Sequence, residues 1–287
     1  SDVLGLAVPE EPGDDLNIDP REFGTLAHKI LQRVYAALIA AGGSREDAMT
    51  KVHTAWSEAC AEAERRGVVG SELAWTARRQ ALREDLLETV ARDPIFARSG
   101  ERVLAVEWAF GESEGRSVSL ALADGREVRF AGRVDRVDAT RDGARVIDYK
   151  TGAGAAEEQL LKARLGLQLP VYRLAVRRAL AQEVGDGEIA CLYRMVTRRG
   201  SFDEHALDAG EEASGARLRL LIGAIADLVE AGVFARSAAD QCSRCDLSYA
   251  CGASEWTRAR KRHGEALAAV VALQSGKVQT EEAADSA

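Results

Sequence analysis

The chain has 287 residues, of which 46% are hydrophobic and 29% charged, and it carries a formal net charge of −8 at pH 7. That is ordinary globular composition, ample for a sizeable core, and no apolar run approaches the ~20 residues of a membrane span. The acidic balance excludes nucleic-acid binding through net charge, so any such binding rests on local patches such as Arg194, Arg198 and Arg199 or the basic run from Arg258 to Arg262.

Residues 1–20 hold Pro9, Pro12, Pro20 and a run of acids, and read as an arm or linker. The start has no initiator Met, no basic n-region and no signal-peptide core, which predicts a fragment of something longer. Five cysteines, an odd number without an export signal, predict a reducing, cytoplasmic setting.

A helix follows, because Phe23, Leu26, Ile30, Val34 and Leu38 recur at three- and four-residue steps. It contains Gly24-Thr-Leu-Ala-His28, in which the glycine lies one turn before the histidine and is expected to permit close approach of another element. Two more helices are predicted over 46–66 and 71–91, with Ser44 and Ser71 as N-caps and Trp56 and Trp75 as core anchors. Cys60 lies in the first of these and reads as a small buried residue.

Strands begin at Val103–Phe110. Glu107 falls inside this apolar run, needs a partner if buried, and is expected to pair with an arginine. Val118–Leu122 and an Asp124-Gly125 turn lead into a strand on which Val128, Phe130 and Val134 alternate. Thr140-Arg-Asp-Gly143 supplies turn chemistry, and Val146, Ile147 and Tyr149 fill the returning strand. A turn centred between Arg141 and Asp142 sets residue i opposite 283 − i, which places Asp135 across from Asp148. Alternation puts Lys150 on the same face. Like charges directly opposite destabilise a sheet. Two bare carboxylates beside a lysine therefore point to a hard divalent cation between them.

A long helix is predicted over 157–183. In it Gln168 and Tyr172 lie four apart on one face, and Pro170 implies a kink or a restart that could aim that face at the hairpin. Glu188–Val196 reads as a strand holding Cys191, and Glu211–Ala231 as a helix. Cys242, Cys245 and Cys251 then form a C-x2-C-x5-C cluster, and cysteines this close in a reducing compartment normally share a metal. Three thiolates are one short of a tetrahedral zinc or iron–sulfur site. A last helix over 254–273 carries the basic run, and 274–287 reads as a disordered acidic tail. No Walker sequence is present in the chain.

Gly132-Arg-Val-Asp-Arg-Val-Asp followed by Val146-Ile-Asp-Tyr-Lys-Thr-Gly152 resembles the RecB-like branch of the PD-(D/E)XK nuclease family. The resemblance covers about residues 21–255 and implies an α/β fold, with a mixed central β-sheet flanked by helices and a C-terminal cysteine-cluster segment. Residues 21–273 would form one nuclease domain. It implies that Asp135 and Asp148 bind catalytic Mg²⁺ or Mn²⁺ and that Lys150 assists the attacking water. His28 matches the family's first motif as a third metal ligand. Gln168 and Tyr172 match a motif whose polar groups sit beside the metal and contact the DNA. An acid on the strand of Glu107 often lies near the family's active site. In the iron–sulfur subset, which includes the AddB subunits of bacterial helicase–nucleases, three C-terminal cysteines join a fourth that lies upstream of the first motif. Cys242, Cys245 and Cys251 match those three; neither Cys60 nor Cys191 matches the fourth, so the [4Fe–4S] cluster is expected to be incomplete in this chain.

The function expected from the resemblance is metal-dependent hydrolysis of single-stranded DNA ends, beside a helicase partner in double-strand-break repair and recombination. Two alternatives remain. One is a catalytically silent DNA-end-binding scaffold, disfavoured by the presence of Asp135, Asp148 and Lys150; the other is a stand-alone CRISPR-associated-type 5′ exonuclease.

Overall fold

A computed structural model describes residues 16–163, 165–207 and 211–232. The chain divides into two units, of which the one from Asp14 to Leu218 holds the sheet and its covering helices; the boundary falls inside the 21–273 span expected as one domain. The cysteine cluster at 242–251, the basic run at 258–262, the helix over 254–273 and the tail all lie outside the described residues.

Three helices come first: α1 (Pro20–Ala41), α2 (Arg45–Arg66) and α3 (Glu72–Arg92). Asp19 accepts the Arg21 amide at the start of α1, and Pro20 occupies the first helical position, where its missing N–H costs nothing. Ser44 and Asp47 cap α2 reciprocally. Ser71 precedes α3 as expected, but its hydroxyl donates to the Leu16 carbonyl rather than capping the helix.

Seven strands follow: β1 (Arg102–Phe110), β2 (Val118–Ala121), β3 (Glu127–Phe130), β4 (Gly132–Thr140), β5 (Gly143–Lys150), β6 (Glu188–Met195) and β7 (Glu204–Ala206). Five build a mixed sheet in the order β1-β4-β5-β6-β7, while β2 and β3 form a separate ribbon. β5 and β6 are parallel; the other neighbours in the sheet are antiparallel. A parallel pair needs a long crossover, which α4 (Ala155–Lys162), α5 (Gln168–Ala179) and α6 (Ala181–Val184) provide. The chain resumes in α7 (Glu211–Glu230).

Both faces of the sheet are covered. On one side Leu26, Ile30 and Val34 of α1, with Leu82 and Leu86 of α3, share a core with Ile147, Tyr149 and Leu192. On the other, Leu169 and Val176 of α5 pack with Val137, Val146 and Met195. This two-sided burial explains why β5 is buried almost continuously along its length, which a sheet covered on one face would not show. Cys60 and Cys191 are buried thiols, one in each core, and burial pushes Cys60 up to about 11.

The β4–β5 register is the expected one, with Arg136 facing Ile147 and Thr140 facing Gly143. Gly143 has φ +144°, and a Cβ there would sit 2.0 Å from the Glu188 carbonyl oxygen, so only glycine closes this turn against β6.

Three expectations are corrected. The strand read through Val128, Phe130 and Val134 is two strands in two sheets, parted at Ala131. A Cβ at Gly132 would lie 2.8 Å from the Phe110 ring, so the chain crosses there at glycine distance. The helix expected over 157–183 is three pieces. Pro170 sits in the first turn of α5, where a restart leaves its missing donor harmless. Arg194 is no surface cation: it is 5% exposed and bonded to Asp93 and Glu204, while Arg198 pairs with Glu84 and Asp85. Among the described residues no helix is long and apolar enough to cross a membrane.

Candidate metal centre

The β4–β5 ladder ends at Arg136 and Ile147, and the site occupies the fork beyond it. Asp135 Oδ2 accepts the Tyr149 amide at 2.7 Å, a donor the ended ladder no longer uses. Its Oδ1 lies 3.3 Å from His28 Nδ1. His28 is carried by α1, and its Nε2 is 2.9 Å from the Tyr149 carbonyl oxygen. With hydrogen on Nε2 donated to that carbonyl, the Nδ1 lone pair faces the carboxylates, the orientation a metal-binding imidazole requires.

Glu107 completes the group. Ligand atoms of His28, Glu107 and Asp135 all lie within 4.8 Å of one another. Glu107 has φ +47°, a left-handed backbone in the middle of β1 and a strained conformation for a residue with a side chain. The strain turns the chain between Val106, opposite Arg136, and Trp108, opposite Val134. The expected arginine partner exists, since Arg133 Nη1 lies 3.6 Å from Glu107 Oε2, but the acid also joins the cluster.

Asp148 is 2% exposed. Lys150 Nζ lies 2.6 Å from its Oδ2, and Gln168 Nε2 donates to its Oδ1 at 2.7 Å. Gln168 also donates to the Tyr172 hydroxyl at 3.0 Å and accepts from Lys150 at 3.3 Å, so the first turn of α5 locks the far side of the fork. The expected residues therefore fall into two adjoining groups. One is His28 with Asp135 and Glu107; the other is Asp148 with Lys150, Gln168 and Tyr172.

The electrostatics join the two groups. Burial raises Asp148 to about 6, the Asp135 charge adds to the rise, and Lys150 opposes it. Burial and Asp135 likewise raise Glu107. Burial alone would lower His28, but the hydrogen bond and charge of Asp135 more than offset it and leave the imidazole above its ordinary value. Asp148 and Glu107 resist ionising here, and with His28 neutral three carboxylates share only two permanent cations, Lys150 and Arg133. Hard oxygen donors with one imidazole suit Mg²⁺ or Mn²⁺, so the donor set fits the divalent ion the sequence implies.

Two features were not legible in the sequence. The Tyr149 backbone serves both Asp135 and His28, and nothing but its place between Asp148 and Lys150 marked it. Glu107 was marked, as the lone acid of an apolar strand and by the resemblance as an acid near the active site, but its left-handed backbone was not.

The family model of the PD-(D/E)XK nuclease superfamily matches residues 1–252. An ATP-dependent helicase/deoxyribonuclease subunit of Moorella thermoacetica is 37% identical over 159 residues, which is 51% of this chain and 14% of that protein. The protein of the same name from Desulforamulus reducens is 36% identical over 107 residues, 34% of this chain and 9% of the relative. The chain thus spans a small part of the length of these relatives, whose names agree with the RecB-like resemblance. A five-stranded mixed sheet flanked by helices is also the architecture of a restriction-endonuclease-like core. The chain belongs to the PD-(D/E)XK nuclease superfamily.

Proposed function

We propose that this chain is the nuclease part of a helicase–nuclease and hydrolyses phosphodiester bonds in single-stranded DNA ends, using Mg²⁺ or Mn²⁺. The observation that carries the reading is the convergence of His28, Glu107 and Asp135 beside a buried Asp148–Lys150 pair. His28, Asp135 and Asp148 would hold the ion, with Glu107 as a further ligand. A bound divalent cation supplies Lewis acidity that lowers the pKa of water and neutralises charge on the phosphate.

The remaining work belongs to the chain. Asp148 holds the Lys150 ammonium at 2.6 Å, and Gln168 fixes both, so one ammonium hydrogen can reach an attacking water or a phosphate oxygen. Water attacks phosphorus and gives up a proton to solvent, the bond to the leaving oxygen breaks and that oxygen takes a proton from solvent, and Lys150 stabilises the charge that gathers between them. Tyr172, pushed up to about 12 by burial, stays neutral and presents a hydroxyl rather than a charge to the strand.

The names of the relatives support a helicase partner and a setting in DNA-end processing. Cys242, Cys245 and Cys251 remain the proposed ligands of an iron–sulfur cluster. Iron and acid-labile sulfide counts on anaerobically purified protein test this; stoichiometric zinc without iron would reject it.

The nuclease assay uses end-labelled linear and circular single-stranded DNA with Mg²⁺ or Mn²⁺. Cleavage of linear but not circular substrate is expected, and its loss in Asp148→Ala. Undiminished cleavage by that variant would reject the site.

A further inference from the structure

A groove of about 500 Å³ opens beside the cluster, between the outer stripe of α1 and the end of β4. Gly24, Thr25, His28 and Lys29 line one bank; Glu107 and Arg133 line the other. The geometry points to this groove as the seat of the sugar–phosphate backbone of the strand to be cut, with Gly24 supplying room and Arg133 supplying charge. This placement rests on the nuclease reading and adds to it where the strand lies and how it is held.

Among the described residues nothing requires glycine at position 24. Its φ is not positive, and a Cβ there would meet Thr151 Oγ1 at 3.7 Å, an ordinary contact. The approach of another element expected from the sequence is thus one that alanine would tolerate, and glycine in a helix disfavours folding relative to alanine. What the missing side chain leaves open is the groove wall one turn from His28. A ligand backbone pressed against the helix uses such a gap.

Arg133 is an exposed cation of this lining, beside Arg21 on the helix bank. Its side chain is 64% exposed and is tied only loosely, at 3.6 Å, to Glu107. Lys29, by contrast, is bonded to Glu62 at 2.5 Å, and neighbouring Arg33 is shared between Glu58 and Glu62. A guanidinium at the lip of the site matches phosphate geometry.

The lining also says what is recognised. The volume is that of a small-molecule site, enough for a short piece of one strand. Among the described residues no Phe, Tyr or Trp lines it, so bases find no stacking platform there. Contacts to phosphate and sugar fix register and carry no sequence information. The groove therefore holds a single strand of DNA without regard to its sequence.

The test measures binding of a fluorescent oligothymidylate by anisotropy, on proteins that also carry Asp148→Asn so that the probe survives. Gly24→Ala should melt at or above the temperature of its parent, bind Mn²⁺ as the parent does by calorimetry when both carry the native Asp148, and bind the oligonucleotide about ten-fold more weakly. Arg133→Gln should weaken binding and flatten the plot of log affinity against log salt by about 0.7, the share of one phosphate contact on a single strand. A merely structural arginine would leave that slope alone. Should Gly24→Ala fail to fold, exposed Arg133→Gln carries the test by itself. Binding by Gly24→Ala within about two-fold of its parent, or an unchanged salt slope in Arg133→Gln, overturns the groove. With Asp148 restored, binding that responds to both variants but no cleavage under any divalent cation rejects the nuclease reading and leaves the groove standing. Cleavage with parental KM in both variants rejects the groove and leaves the nuclease standing.

Discussion

Two charged clusters sit back to back on the same pair of strands, one residue apart in sequence, and they are built on opposite principles. Arg136, fully buried, binds Asp138 through Nε at 2.6 Å and Nη2 at 2.8 Å, and reaches Asp93 and the Tyr149 hydroxyl with Nη1. Arg194 and the Tyr35 hydroxyl also donate to Asp93. Two buried carboxylates thus meet two buried guanidiniums, while Glu204, the further acid on Arg194, is 44% exposed. Although burial opposes its charge, Asp93 is held well below the usual carboxylate range by Arg136 and Arg194, whereas at Asp138 burial outweighs Arg136 and raises the carboxyl. On the other side of the strands Asp135, Asp148 and Glu107 share two permanent cations, Lys150 and Arg133, beside a titratable His28, and there Asp148 and Glu107 are pushed up. Balance marks a network that belongs to the fold. Imbalance marks a site that awaits a cation.

The first way to break the comparison is to unbalance the balanced side. Arg136→Met leaves Asp93 and Asp138 buried without their main partner, and removing one member of a buried ion pair costs about 3–5 kcal/mol. Set against a typical total of about 5–15 kcal/mol, that should bring the protein near unfolding at ambient temperature, and urea melts will read it. Asp93→Asn should act in the same direction. The folded pKa of Asp93 lies below its unfolded value of about 3.9, so its stabilisation is complete at neutral pH and fades as pH falls below about 4. Asp93→Asn should therefore lose most near pH 7 and progressively less as pH falls below about 4. A uniform loss across that range would show that the aspartate acts through packing.

Unbalanced sites should respond in reverse. The folded pKa of Asp148, about 6, lies above the unfolded value, so the metal-free protein loses stability at this residue as pH rises from about 4 to 6. Asp148→Asn should stabilise the metal-free protein at pH 7 by on the order of 1–3 kcal/mol while abolishing cleavage. Saturating Mn²⁺ should stabilise the parent instead, by about 2.7 kcal/mol at a hundred-fold excess over Kd, and the variant much less. Equal shifts in both proteins would place the ion elsewhere. His28 must shed a proton to bind metal, and it starts above its ordinary value, so Mn²⁺ affinity should begin to fall at a higher pH than an ordinary imidazole would set. In His28→Ala that slope should lessen and leave the part set by Asp148.

The two clusters were unequally legible. The hairpin register could be read because a two-residue turn at Arg141 and Asp142 fixes the pairings from Thr140–Gly143 to Arg136–Ile147; the ladder ends there, one pair short of the expected Asp135 and Asp148. His28, Gln168 and Tyr172 came from motif spacing on helices, where local geometry is nearly rigid. The balanced network left no such trace. Asp93 and Arg136 are 43 residues apart and Asp93 and Arg194 are 101 apart, and no periodicity links them. From sequence, Arg194 joined its arginine neighbours as a surface patch, since strand alternation cannot tell an outward cation from one buried against a distant acid. The break at Ala131 was hidden for a related reason: Val128, Phe130 and Val134 keep a period of two across it, although the strands belong to different sheets. β7, three residues long with polar neighbours, carries too few positions for any pattern.

The smallest expected effect concerns Glu107, where imbalance is joined by strain. Its φ of +47° costs a residue with a side chain about 1–2 kcal/mol, and burial beside Asp135 adds an unfavourable charge. Glu107→Gly removes both, at an entropic cost of about 0.5–1 kcal/mol for glycine in a strand. The metal-free variant should gain up to about 1 kcal/mol, visible as a rise in melting temperature of a few degrees at most. Glu107→Gln keeps the strain and removes only the charge, so it should gain less. Both should bind Mn²⁺ more weakly than the parent if the carboxylate is a ligand. The balanced network contains no positive-φ residue, so the same kind of scan over Asp93, Arg136 and Arg194 should find only losses. A Glu107→Gly protein that melts lower than its parent would mean that the carboxylate supports β1 through Arg133, and that the strain serves the strand rather than the ion.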